Sequence, residues 1–207
     1  MKYKIIENYL DEIIPNPLCE LNYTNDYTLL ISIVLSAQTT DKRVNEVTCI
    51  LFSKYPDLES LANASINDIK NIIKPIGNYN KKAEYVKDIA NKLHFEYNDT
   101  VPSDENILLT FKGVGRKTIN VFLAEYKKIP RIAVDTHVAR VSKRLNLCNE
   151  DDNPLKIEKK LMKVFSIEDW GRRHLQIVLF GRYHCKAKKP ECKKCKLKQI
   201  CNYNQEK

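Results

Sequence analysis

The chain has 207 residues, 43% of them hydrophobic, and carries a formal net charge of +9. That length holds one large domain or two small ones, and that hydrophobic fraction excludes a disordered chain. No apolar run approaches the roughly 20 residues that cross a bilayer, and no apolar h-region of a secretory signal stands behind Met1-Lys2-Tyr3, so the expected setting is cytoplasmic, associated with the nucleoid and free of membrane.

The charge is uneven. Residues 181–207 hold nine Lys/Arg against two Glu, a net +7, which leaves the remainder nearly balanced. A basic segment of that kind points to phosphate and to a nucleic-acid backbone. A composition rich in Lys, Ile, Asn and Tyr also raises the pI without any partner.

Helical periodicity dominates and no segment alternates with period 2, so the expected class is all-α. Asp26 is placed to cap a buried helix over 27–35, and Asp41 opens a helix over 42–54 with Val44, Val47, Leu51 and Phe52 on one face. Ser65 with Asp68 reads as a capping box for a short helix that ends before Pro75. Asn80 is placed to cap a helix over 81–95, where Ala83, Val86, Ile89, Ala90 and Leu93 follow the 3.6 period. Ser103 starts a short helix through 110, and a further helix over 116–126 closes at the Pro130 turn. Asp135 caps 136–145. Ser166 with Asp169 forms a second capping box before a helix running to about 183.

Between the helices ending near 110 and starting at 116 lies Leu109-Thr110-Phe111-Lys112-Gly113-Val114-Gly115-Arg116-Lys117-Thr118. A Gly-Val-Gly turn reaches φ values other residues avoid and exposes N–H groups at a helix start, where the dipole favours an anion. Those groups hold a phosphate without reading sequence; the alternative is a plain tight turn. Lys117 falls in the first turn of the new helix, where the dipole, Lys112 and Arg116 all disfavour a cation. Those effects favour the neutral amine, which is a nucleophile, and on this stretch alone a phosphate-binding lysine fits equally well. Asp135 is a good N-cap and also a carboxylate able to take an amine proton or stabilise a cationic sugar. His137 beside it is a polar contact or a satisfied structural histidine.

Cys185, Cys192, Cys195 and Cys201 are spaced C-x6-C-x2-C-x5-C. Seven cysteines is an odd number and suits a reducing compartment, so a disulfide knot ranks last. Zinc sites usually pair their ligands in two short arms, and only Cys192 and Cys195 form such an arm. Uneven thiolates in a short irregular loop fit an iron–sulfur cluster better than zinc. Cys19, Cys49 and Cys148 are expected to serve packing.

The stretches GVGRKT, AVDTHVARV and the cysteine quartet, in that order and separation, resemble the endonuclease III family of DNA glycosylase/lyases in the helix–hairpin–helix superfamily. The resemblance runs from Leu29 to Cys201. It implies two α-helical domains, 22–130 with the hairpin, and 1–21 joined to 131–207 with a 4Fe–4S loop at 185–201, with DNA across the cleft between them. It implies a monomer acting on double-stranded DNA that contains damaged pyrimidines or abasic sites, with one 4Fe–4S cluster as cofactor. An oxidised pyrimidine would be flipped from the stack, and Lys117 would attack C1′ with help from Asp135. The resulting Schiff base would nick the strand 3′ to the lesion by β-elimination. Lys112, Gly113, Val114, Gly115, Arg116, Thr118 and His137 would contact DNA, and Gln38 would fill the gap left by the flipped nucleotide. Two positions depart from the family pattern. Lys112 stands where a proline is usual, which implies a looser turn with an added phosphate contact. Asn78 stands where an apolar wedge is common, and as a DNA-binding residue it would fill the gap by hydrogen bonding to the orphaned base instead. Two rival readings are a related glycosylase that does not cleave the strand, and a non-enzymatic DNA-binding module holding zinc.

Overall fold

Every regular element is helical among residues 2–205, which a computed structural model of the chain describes. In chain order the helices are α1 (Lys2–Ile13), α2 (Asp26–Leu35), α3 (Asp41–Lys54), α4 (Leu58–Asn63), α5 (Ile66–Ile73), α6 (Tyr79–Glu96), α7 (Glu105–Leu108), α8 (Arg116–Glu125), α9 (Thr136–Arg144), α10 (Pro154–Val164), α11 (Trp170–Tyr183) and α12 (Asn202–Gln205). Single 3₁₀ turns lie at Ile167–Asp169, Cys192–Lys194 and Lys198–Ile200. No helix among the described residues is long and apolar enough to cross a membrane. The chain divides into a hairpin unit, Cys19–Lys127, and a terminal unit, Met1–Leu18 with Lys128–Lys207.

The hairpin unit is organised by α2, which packs on α3, α6 and α8 and has all ten of its residues buried. Ile31, Ile33 and Val34 are β-branched and cost a few tenths of a kcal/mol each in helix propensity. Burying each gains about 1.5–3 kcal/mol, so packing decides the conformation. Asn25, not Asp26, caps α2, exchanging hydrogen bonds with Thr28. Asp26 lies inside the helix because its carboxylate has a distant partner. Oδ2 accepts the Val101 N–H at 2.8 Å and Oδ1 accepts the Tyr27 N–H at 2.8 Å.

Other helix starts moved for similar local reasons. The chain enters α6 through Asn78, at φ 56°, so the helix begins two residues before the expected one and Asn80 is no cap. Asp104, rather than Ser103, caps α7, accepting from Asn106 and Ile107. Ser65 caps α5 as expected, but the Asp68 side chain turns to Lys54 and Tyr55, so only half of that box forms. Ser166 donates to the Asp169 carboxylate at 3.2 Å and caps no backbone group, and a 3₁₀ turn precedes α11. Helices α4 and α10 were not expected, although Asp57 with Ser60 and Asn153 with Pro154 are ordinary start signals.

In the terminal unit α1 and α9 both pack on α11, around a core that includes Ile6, Leu10, Val138, Val141, Ile177 and Phe180. Asp11 of α1 accepts from Arg172, from Arg173 Nη1 at 2.6 Å and from Gln176 Nε2 at 3.1 Å. Burial pushes the Asp11 carboxyl up, but the bonds from Arg173, Gln176 and Arg172 outweigh it and hold the group well below the usual range. Close approach of α9 to α11 depends on Gly181. A Cβ there would lie 3.0 Å from His137 Cβ and 3.1 Å from Val141 Cγ2.

Candidate nucleic-acid interface and cysteine centre

The turn between α7 and α8 closes with the Val114 N–H donating to the Phe111 carbonyl at 3.1 Å, and Phe111 is buried beneath it. Gly113 alone needs glycine's conformational freedom: its φ is +78°, and a Cβ would come 2.4–2.9 Å from the Tyr85 ring. Gly115 has an extended backbone, φ −115° and ψ 179°, and a Cβ there would meet nothing within 4 Å. The turn therefore reaches its unusual φ at Gly113, and Gly115 adds no strain of its own.

Gly115 gives α8 no side-chain cap. The positive end of the helix dipole therefore lacks the oxygen that Ser, Thr, Asp or Asn normally supplies. Lys117 is the second residue of this helix and is exposed, as are Lys112 and Arg116. Val114 and Thr118 are buried, so their side chains pack inward and only their backbones are left for an anion.

Lys112 is held, not loose. Its N–H donates to Asp88 Oδ2 at 2.9 Å and its ammonium lies 3.7 Å from Oδ1. A proline at this position would have no N–H to donate, so the lysine adds a tether to α6 that the expected looser turn lacks. Lys92, also on α6, donates to the Thr110 carbonyl at 2.6 Å and stands 5.3 Å from the Phe111 ring centre.

Gln38 and Asn78 are exposed, and both have φ 56°. They share a neighbour that the sequence reading passed over. Lys82, only 4% exposed, donates from Nζ to the Leu35 carbonyl at 2.9 Å, the Ala37 carbonyl at 2.7 Å and Thr39 Oγ1 at 3.1 Å. Its own N–H donates to the Asn78 carbonyl at 3.1 Å. Burial pushes the Lys82 amine down from its ordinary value.

Asp135 belongs to the terminal unit, whereas Lys117 belongs to the hairpin unit. The Asp135 Oδ1 accepts the Val138 N–H at 2.7 Å, so the residue caps α9. His137 lies 3.2 Å from Arg140 Nη2 through Nδ1 and packs toward Gly181.

Cys185, Cys192, Cys195 and Cys201 line one cavity of the terminal unit, together with Tyr9, Leu145, Phe180, Pro190 and Tyr203. None is in a disulfide. Burial pushes the Cys195 thiol up. Two arginines of α9 tie the loop down. Arg144 Nη1 donates to the Lys186 carbonyl at 2.8 Å and lies 3.3 Å from Cys185 Sγ, while Arg140 donates to the Gly181 carbonyl at 2.7 Å and the Cys185 carbonyl at 3.2 Å. The Arg144 guanidinium also covers the Tyr203 ring at 4.0 Å. Among the remaining cysteines, Cys148 is buried and burial pushes its thiol up to about 11, Cys19 is half-buried, and Cys49 is exposed and so lies outside the core that the packing expectation placed it in.

The family model of the HhH-GPD superfamily base excision DNA repair proteins matches residues 31–166. Endonuclease III of Bacillus subtilis (strain 168) is 41% identical over 208 residues, covering 99% of this chain and 95% of the relative. The chain belongs to the endonuclease III family.

Two solved structures of endonuclease III agree with that assignment. One is a trapped covalent intermediate with DNA, an estranged-adenine complex, with TM-score 0.93 and 42% identity, covering 100% of this chain and 98% of the other. The second is a non-covalent complex with DNA, with TM-score 0.95 and 41% identity, covering 100% and 97%. Lys82, Asp88, Lys92 and Arg144, which hold these turns and the cysteine loop, are the residues that sequence reasoning missed. One signal was available for Lys82. It is the fourth residue of α6, a cation near a helix N-terminus, which is the same misplacement that drew attention to Lys117.

Proposed function

We propose that this endonuclease III family member removes oxidised pyrimidines from duplex DNA and nicks the strand 3′ to the resulting abasic site, with Lys117 as nucleophile and Asp135 as its partner. The observation that carries the reading is the exposed Lys117 in the uncapped first turn of α8, directly behind Gly113-Val114-Gly115, in a chain of this family. The backbone of the turn would receive a phosphate while the damaged nucleotide is extruded. The amine lone pair forms a bond to C1′, the C1′–N glycosidic bond breaks, and the base leaves with the electron pair and takes up a proton. Asp135 receives the proton shed by the amine. Opening of the C1′–O4′ bond gives an imine, and loss of a proton from C2′ then expels the 3′ phosphate.

The four cysteines would hold one 4Fe–4S cluster. Their donor chemistry fits: four thiols line one cavity, with Leu145 and Phe180 on its apolar side and Lys194 and Lys198 on its charged side, and thiolates are the ligands of iron–sulfur groups. When bound, the cluster supplies iron–thiolate bonds that cross-link residues 185–201. Arg144 then donates toward Cys185 Sγ, and Arg140 and Arg144 hold the loop's carbonyls. Assembly must displace the thiol protons that burial retains at Cys195.

The test uses a duplex containing thymine glycol. Purified protein should release the base, nick the strand and become covalently attached to DNA when borohydride is present. Base release with no trapped adduct would contradict the Schiff-base route. The same preparation should be brown and contain iron; a colourless, zinc-containing protein would contradict the cluster.

A further inference from the structure

We propose that Lys82 is a positioning residue that holds the two gap-facing segments around Gln38 and Asn78 in register, so that both act when a nucleotide is extruded. The inference rests on the functional reading above.

Three observations carry it. First, Lys82 is buried with three neutral acceptors on the segment around Gln38, the Leu35 and Ala37 carbonyls and the Thr39 hydroxyl. Leu35 ends α2, where carbonyls lack helical partners and the dipole favours a cation. Second, the Lys82 N–H bonds the Asn78 carbonyl at 3.1 Å, so one residue binds the backbone at both segments. Third, Gln38 and Asn78 both hold φ 56°, a conformation that costs a non-glycine residue free energy and persists only where surroundings impose it. Among the described residues seven non-glycine positions have positive φ, and these two are the pair joined through Lys82. A buried ammonium without a carboxylate is a poor device for stability. Its bonds fix the shape of two exposed loops instead.

Lys82→Met removes the ammonium and keeps the length of the side chain. Single-turnover excision of thymine glycol should fall about 10- to 100-fold, the range expected when reacting groups are misplaced by an ångström. Nicking of a preformed abasic site has no base to unstack, and should fall less than about 3-fold on the same grounds. Binding of undamaged duplex, gripped by the hairpin, should be unchanged. In a Gln38→Ala background, Lys82→Met should add little further loss, because both changes disable one device. Should Lys82→Met fail to fold by circular dichroism, Thr39→Val, which removes one acceptor, enters the same cycle. Equal loss on both substrates, or losses that multiply with Gln38→Ala, would overturn the proposal. Failure of the unaltered protein to excise thymine glycol would overturn the functional reading instead.

Discussion

The hairpin unit and the cysteine loop of the terminal unit both tie down irregular backbone with cations, yet they rest on different foundations. In the hairpin unit one helix, α6, supplies the cations. Lys82 reaches the end of α2, Lys87 donates to the Ala62 and Ala64 carbonyls, and Lys92 reaches Thr110. The segments so held are short, and each leads at once into a helix with a buried apolar face. In the terminal unit Arg140 and Arg144 of α9 do the same for the loop after α11. That loop is 17 residues from Cys185 to Cys201 and has no element longer than a three-residue 3₁₀ turn. Leu197 and Cys201 are its only buried residues. Cations suffice where apolar burial already fixes the chain; where it does not, the proposed cluster would supply cross-links through the thiols.

The largest expected effect follows from breaking those cross-links. Cys195→Ser should lose iron, make residues 185–201 the first site of proteolysis and destabilise the terminal unit by more than about 4 kcal/mol, as loss of a structural metal centre does. Unchanged melting and an unchanged cleavage pattern would erase the contrast between the two regions. Next, Gly113→Ala should destabilise the hairpin unit by about 1–3 kcal/mol, because the left-handed φ is strained for alanine and the Tyr85 ring must move. Undamaged duplex should bind more weakly, and the log–log salt slope should shrink by about 0.9 if one phosphate contact is lost. Fluorescence anisotropy against salt measures both.

A smaller effect concerns the terminal unit without its cysteines. Asp11→Asn should cost about 2 kcal/mol at neutral pH, the scale of hydrogen bonds to a charged group. The folded carboxyl sits below its unfolded value of about 4, so its contribution is complete above that pH and is lost as pH falls through the folded value. The melting difference between Asp11→Asn and the unaltered protein should stay constant from pH 8 to about 5 and close below about 4. A difference that persists undiminished in acid would assign it to packing. The smallest effect is at Gly115, where alanine meets open space at an ordinary φ and should change stability by less than about 0.5 kcal/mol. An equal loss at Gly113 and Gly115 would break the account of the turn.

Much of this molecule was legible in the sequence, because helix signals are local and each motif is short. The apolar period of α6 and the cap at Asp135 needed only neighbours in the chain. What escaped depended on distant partners. Asp26 left its expected capping role for Val101, 75 residues away, and Asp68 turned to Lys54 and Tyr55. Lys112 looked like a loosened turn until Asp88 appeared opposite its N–H. Lys82 drew no reading from the sequence, since nothing local announces that the carbonyls of residues 35 and 37 lie against it.

The central claim is that chemistry belongs to Lys117 in the hairpin unit, not to the lysine-rich cysteine loop. The direct measurement is to trap the protein on a thymine glycol duplex with borohydride, digest the adduct and identify the modified residue by mass spectrometry. The account predicts a reduced sugar on Lys117 and no adduct from Lys117→Ala, whose excision should fall by about 10³-fold or more. An adduct on any other lysine, or undiminished trapping in Lys117→Ala, would contradict it.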